Sequence, residues 1–167
     1  LRGEEAAAIE GLCLHRDLAL ISDEVFADYA IAPRPDAVRS MGIGGNSGRA
    51  TLTFLLDGLS KTLALPQMKL AWIAILGPPD VREAAALRLE LIADTYLSVA
   101  SPVQLALPGL LGGRAGVQSG ILSRVRENLA ACAQLIGPRS ACRLLPVEAG
   151  WSAVVKVPAM RPAEDWC

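Results

Sequence analysis

The sequence predicts an α/β fold, an open sheet covered by helices, and three observations carry that expectation. Short apolar runs of strand length (Asp17 to Ser22, Thr51 to Leu56, Leu70 to Leu76) alternate with stretches of helical periodicity. Gly, Pro and Asp clusters, which interrupt regular structure, bound those runs. Of the 167 residues 52% are apolar, enough for one chain of domain size to build a real core.

In chain order, Leu1 to His15 reads as a helix, with Ala6, Ala7, Ile9, Leu12 and Cys13 on one face and Glu4, Glu5 and Glu10 elsewhere. Asp17 to Ser22 reads as a short buried strand that runs into Asp23-Glu24-Val25-Phe26. Open α/β sheets place ligand-binding groups where a strand ends in a loop, so a carboxylate there is a candidate site residue. Pro33, Pro35 and the glycines from Gly42 to Gly48 mark a long surface loop.

The stretch from Phe54 to Ala74 organises the chain. It predicts a buried strand ending at Asp57-Gly58, then a tight turn carrying Lys61 within Ser60-Lys61-Thr62. A second buried strand is entered through Pro66, with Lys69 just before it. Pro78-Pro79-Asp80 opens a helix from Val81 to Ala93, with Val81, Ala84, Ala85, Leu87 and Leu91 as its apolar positions. Ser101-Pro102-Val103 opens another, which closes near Gly112-Gly113. Gly116 to Ile136 is a long amphipathic helix with Ile121, Leu122, Val125, Leu129 and Cys132 inward, ending at Gly137-Pro138. Leu144 to Val147 and Trp151 to Val157 read as strands around Gly150. The break at Gly112-Gly113 is the expected domain boundary, dividing the chain into residues 1–112 and 113–167. Pro162 to Asp165 resembles the first turn of a further helix, and the whole reads as an internal piece of a longer protein.

Composition narrows the function classes. A net charge of −1, from 16 basic and 17 acidic residues, argues against a nucleic-acid surface. The longest apolar run, Leu70 to Leu76, falls far short of the ~20 residues that span a bilayer. The four cysteines (Cys13, Cys132, Cys142, Cys167) form no CxxC pair and no metal-ligand spacing with His15, so no metal site is expected. Scattered thiols of this kind suit a reduced, cytoplasmic setting.

Two residues carry the chemistry. Desolvation favours the neutral form of an amine, the form that attacks a carbonyl, so a lysine held between apolar strands is a candidate Schiff-base nucleophile; a plain solvated turn lysine is the alternative. Asp23, at a strand end, either caps a turn or pairs with a cationic group.

Ser60-Lys61-Thr62 followed by Leu65-Pro66 and Lys69-Leu70-Ala71-Trp72 resembles the segment S-K-x-x-x-x-P-G-[LM]-R-[LIV]-G-[WY] of the class I/II aminotransferases, the fold-type-I pyridoxal-phosphate enzymes. Asp23-Glu24-Val25-Phe26 resembles their D-E-[VI]-Y segment. Ala93 to Gln104 and Glu148 to Ala153 are similar to two later family stretches, so the resemblance runs from Leu18 to Pro158. It implies pyridoxal 5'-phosphate as cofactor, bound through a Schiff base on Lys61, with Asp23 against the pyridinium nitrogen and Lys69 at the phosphate. It also implies a fold-type-I arrangement, the later part of the large-domain sheet followed by the start of an α+β small domain. The implied function is an aminotransferase moving an amino group between an amino acid and a 2-oxo acid, working as a homodimer. The alternatives are a fold-type-I lyase and a non-catalytic cofactor- or amino-acid-sensing regulator.

Three positions depart from the family pattern. Phe26 stands where a tyrosine usually bonds the cofactor's phenolic oxygen, a bond that is lost unless Tyr29 reaches back. Lys69 replaces an arginine, keeping the charge without the bidentate fork. Gly58 replaces a frequent hydroxyl residue, which leaves Ser60 either as the nearest hydroxyl candidate for the cofactor or as a cap of the turn. The family's glycine-rich phosphate loop and ring-stacking aromatic would precede Leu1, and its carboxylate-binding arginine would follow Cys167; neither Arg139 nor Arg161 has the context to replace that arginine. The 167-residue chain alone is therefore expected not to catalyse transamination.

Overall fold

The computed structural model describes residues 1–32, 34–43, 49–138, 140–160 and 162–166. Pro33, the glycines of 44–48, Arg139, Arg161 and Cys167, on which parts of the sequence reading fall, lie outside the described residues.

Helix α1 spans Gly3–His15, and strand β1, Leu20–Asp23, follows it. Strand β2, Thr53–Gly58, runs parallel to β1, with Leu20 opposite Thr53 and Asp23 opposite Leu56. The short helix α2, Leu59–Thr62, leads through a 3-10 turn at Pro66–Met68 into strand β3, Ala71–Leu76. β3 returns antiparallel to β2, with Gly58 opposite Ala71 and Thr53 opposite Leu76. The sheet order is β1-β2-β3. The carboxyl ends of β1 and β2 and the amino end of β3 therefore lie along one edge of the sheet, which brings Asp23, the Lys61 turn and Lys69 to the same end of the fold.

Helices α3, Pro79–Ala93, α4, Ser101–Gly112, and α5, Arg114–Ile136, follow. Their starts and stops agree with the sequence: Pro79 and Asp80 open α3, Pro102 opens α4, and Gly137 ends α5. A small antiparallel pair, β4 (Arg143–Leu144) and β5 (Val155–Lys156), completes the regular elements before a 3-10 turn at Ala163–Trp166. The mixed sheet with covering helices is the α/β arrangement that the sequence predicts. Among the described residues, no helix is long and apolar enough to cross a membrane.

The core sits directly under the lysine turn. Leu59, Leu63 and Leu70 are buried together, and Val103, Leu107, Leu110 and Leu111 of α4 pack against them with Leu65, Met68 and Trp72. Spacings of three and four along α4 place those four residues on one stripe. The backbone on either side of Lys61 is thus anchored by apolar contacts, while its side chain stays half-buried.

Burial differs from the sequence reading in four places, the first being β3, read as a buried strand, in which Ala71, Ile73 and Ala74 are exposed. β1 is covered on one side only, since Ile21 is 66% exposed, so alternation rather than full burial describes it. In α3 only Ala85 is buried, while Leu87 and Leu91 face outward. In α1 Ala6 and Cys13 are buried, whereas Leu12 is exposed. Helical period fixes which residues share a face, but the packing partner decides whether that face is covered.

Candidate active site

Lys61 occupies the third position of α2, on a helical turn rather than a tight loop. Gly58, which the sequence marks as a turn residue, is the last residue of β2. Its backbone is fully extended (φ 178°), so its conformation does not demand glycine, but its surroundings do. A Cβ there would lie 2.9 Å from both Cα and Cβ of Ala71, too close without the strands moving apart.

Three side chains hold the lysine turn by its backbone. Asp57 Oδ1 accepts hydrogen bonds from the Gly58 N–H (2.6 Å) and the Thr62 hydroxyl (2.9 Å), tying the start of α2 to its end. The turn is thus braced by Asp57, the residue before Gly58, where the sequence offered Ser60 as a cap; Ser60 is half-buried beside Lys61. Tyr29, fully buried, donates its hydroxyl to the Lys61 carbonyl at 2.6 Å. Gln118 of α5 donates to the Thr62 carbonyl (3.2 Å) and to the Asp28 carboxylate (2.7 Å). Tyr29 does reach toward Lys61, but its proton goes to the lysine's own backbone.

The electrostatics follow from burial. Desolvation pushes the Asp57 carboxyl above its usual range, and the negative charges of Asp28 and Glu24 add to that; the Gly58 N–H and the Thr62 hydroxyl work in the opposite direction. Burial, and then the charges of Asp28 and Asp57, raise the Tyr29 phenol, which keeps it a protonated donor at neutral pH.

Asp23 lies at the exposed end of β1, where its Oδ1 accepts the Val25 N–H (3.2 Å) in an Asx-type turn; among the described residues the second carboxylate oxygen has no hydrogen-bond donor. Its neighbour Glu24 turns inward and gathers the Ser22 hydroxyl, the Ser40 hydroxyl and the Met41 N–H, which pins the loop that follows. Lys69 is exposed and left-handed (φ 52°, ψ 39°), an uncommon conformation for a side chain with a Cβ, at the entrance to β3. The edge of the sheet therefore carries a carboxylate, a half-buried amine and a second cation.

Phe26 and Trp151 flank the amine. The Lys61 Nζ lies 5.9 Å from the Phe26 ring centroid and 5.6 Å from that of Trp151. The two rings meet edge to face with centroids 5.4 Å apart, and Tyr29 packs on Trp151 in the same manner at 5.1 Å. Sequence reasoning marked Gly150-Trp151 only as a strand entry. The missed signal is the glycine: Gly150 has φ +91°, a conformation that favours glycine, and it sets the direction in which Trp151 leaves the backbone. Asp57, Tyr29 and Gln118 as braces of the lysine turn were likewise not legible, because two of the three are distant in sequence.

No protein-family model and no curated protein matches the chain. Solved structures do. An alanine aminotransferase from Pyrococcus furiosus superposes with a TM-score of 0.79 at 14% identity, over 93% of this chain and 38% of its own. An aminotransferase from Escherichia coli gives 0.74 at 20% identity, over 94% and 38%. A pyridoxal-phosphate-bound C-S lyase from Staphylococcus hominis gives 0.65 at 15% identity, over 91% and 36%. The chain thus spans about 38% of the length of the first two. Over that span it carries the fold-type-I fold of the class I/II aminotransferases.

Proposed function

We propose that this chain is the lysine-bearing part of a pyridoxal-phosphate-dependent aminotransferase, which moves an amino group between an amino acid and a 2-oxo acid. The observation that carries the proposal is the shared edge of the sheet: β1 ends at Asp23, β2 leads into Lys61, and Lys69 precedes β3 at the same end. This donor set fits the cofactor group by group, an amine for its aldehyde, a carboxylate for its pyridinium N–H and a cation for its phosphate.

When bound, the cofactor supplies an electron sink for the substrate's α-carbon. Lys61 would hold the cofactor through its aldehyde and would serve as the base that moves the proton at the substrate's α-carbon. Asp23 would pair with the pyridine nitrogen and favour its protonated form. Lys69 and the Ser60 hydroxyl would hold the phosphate, Lys69 as a point charge rather than a fork. Phe26 supplies a ring where a tyrosine hydroxyl would donate, and Tyr29 does not restore that donor because its hydroxyl donates to the Lys61 carbonyl. In the same proposal residues 1–112 are the later half of a cofactor domain and residues 113–167 the start of a small one, in a cytoplasmic homodimer.

The test is an absorbance spectrum of the full-length protein with pyridoxal phosphate, followed on adding amino acids. The expected result is a visible band that moves to the ultraviolet as one equivalent of 2-oxo acid forms, and that is absent in Lys61→Ala. The C-S lyase with the same fold sets the competing outcome, in which thiol, ammonia and 2-oxo acid are released together over repeated turnovers and the visible band is restored. A Lys61-dependent band that no amino acid moves would instead mark a regulator.

A further inference from the structure

We propose that Phe26 and Trp151 form a two-ring cradle for the Lys61 amine, which makes Trp151 a positioning residue of the site. The cradle rests on the proposed role of Lys61 as the reacting amine and adds to it a residue from the far end of the chain.

The geometry carries the inference. Both ring centroids lie within 6 Å of Nζ, the range in which an aromatic face attracts a cation. Among the described residues no carboxylate lies within ion-pair distance of this ammonium, so the ring faces are its electrostatic neighbours. A lysine stem has many rotamers, and two apolar ring surfaces that favour the charged tip restrict them.

Trp151 is delivered by backbone pairing rather than by its own polar group. Ile31 N–H and Ala32 N–H both donate to the Glu148 carbonyl (2.9 and 3.2 Å), Gly150 N–H donates to the Tyr29 carbonyl (2.9 Å), and Ala30 bridges Ala149. Gly150 then turns with positive φ against the Phe26 ring, which lies 3.7 Å from where a Cβ would be. Among the described residues the buried indole N–H has no hydrogen-bond partner. The indole is therefore oriented by its edge-to-face packing on Phe26 and Tyr29, and its outer side lines a cavity of about 150 Å3 with Leu129 and Cys132 of α5. A ring so placed responds to docking of the 148–151 segment, and the amine responds with it.

The test needs no cofactor. The chain has three lysines, of which Lys69 and Lys156 are exposed. Reductive methylation with 13C-formaldehyde labels each amine while keeping its charge, and Lys61→Arg identifies the Lys61 resonance by its loss. In the wild-type chain the Lys61 methyl signal is expected upfield of those of Lys69 and Lys156, because it lies over two rings. Trp151→Phe, which keeps a ring, retains most of that shift, whereas Trp151→Leu and Phe26→Leu each lose a large part of it. A Lys61 signal at the exposed position in the wild-type chain overturns the cradle without any variant. So does a Trp151→Leu chain, folded by circular dichroism, in which the signal has not moved. Failure of cofactor attachment in the wild type would count against the proposed function, while the ring-current shift decides the cradle separately.

Discussion

Removing one oxygen from Tyr29 tests how firmly the lysine turn is held. Tyr29→Phe keeps the ring that packs on Trp151 and deletes only the hydroxyl donated to the Lys61 carbonyl at 2.6 Å. That carbonyl then keeps only backbone contacts of its own turn, such as the Ala64 N–H at 3.4 Å, among the described residues. A buried acceptor that loses its main donor costs about 1–2 kcal/mol, more than the net worth of an exposed hydrogen bond. With a urea dependence on the order of 2 kcal/mol per molar, the unfolding midpoint should fall by roughly 0.5–1 M with an unchanged slope. Amide exchange should quicken first at Leu63 and Leu65, whose N–H groups both donate to the Leu59 carbonyl within the same turn. Urea unfolding followed by tryptophan fluorescence, with exchange measured on the same variant, reads both effects. A midpoint equal to wild type, with no change in exchange at those amides, would refute the claim that Tyr29 braces the lysine turn.

Two further substitutions probe the same turn. Gly58→Ala places a methyl 2.9 Å from the Ala71 backbone, so β2 and β3 must part; the expected cost is about 1–3 kcal/mol. For a chain of this size that lowers the melting temperature by roughly 2–10 °C in a thermal scan, and an unchanged melt would mean the strands give way freely. Asp57→Asn keeps an oxygen for the Gly58 N–H and the Thr62 hydroxyl while removing a carboxylate whose ionisation burial opposes. Because the folded state raises this pKa above its ordinary 3.8, the contribution of Asp57 to stability is fully present below that value and is lost as pH rises through the folded pKa. The variant should therefore gain stability relative to wild type as pH rises through that window toward neutrality, and the gain should vanish below pH 3.8 in parallel urea titrations. A gain that stays constant with pH would show that charge is not the cause.

Local signals made the elements legible and tertiary contacts hid the supports. Proline and acid at the start of α3, and glycine at the end of α5, fixed those helices because an unpaired N–H or carbonyl row needs such residues wherever it occurs. Asp23, Lys61 and Lys69 could be named because each stands at the end of an apolar run. Their convergence on one edge required the pairing of β1 with β2 and of β2 with β3, which no local pattern encodes. Gly58 misled in an instructive way. Asp-Gly reads as a turn, but here the glycine serves the close approach of Ala71, and the aspartate braces the turn that follows. Gln118 reaches the lysine turn at Thr62 and Trp151 reaches the lysine itself, both across long sequence separations, and residues of either kind read locally as helix surface and strand core.

The central claim, that Lys61 is the amine that carries the cofactor, is tested most directly by borohydride reduction of the protein with pyridoxal phosphate and peptide mapping of the label. The account predicts a single phosphopyridoxyl group on Lys61, lost in Lys61→Ala, with Lys69 and Lys156 unlabelled. Label spread evenly over the three lysines, or retained in Lys61→Ala, would contradict it.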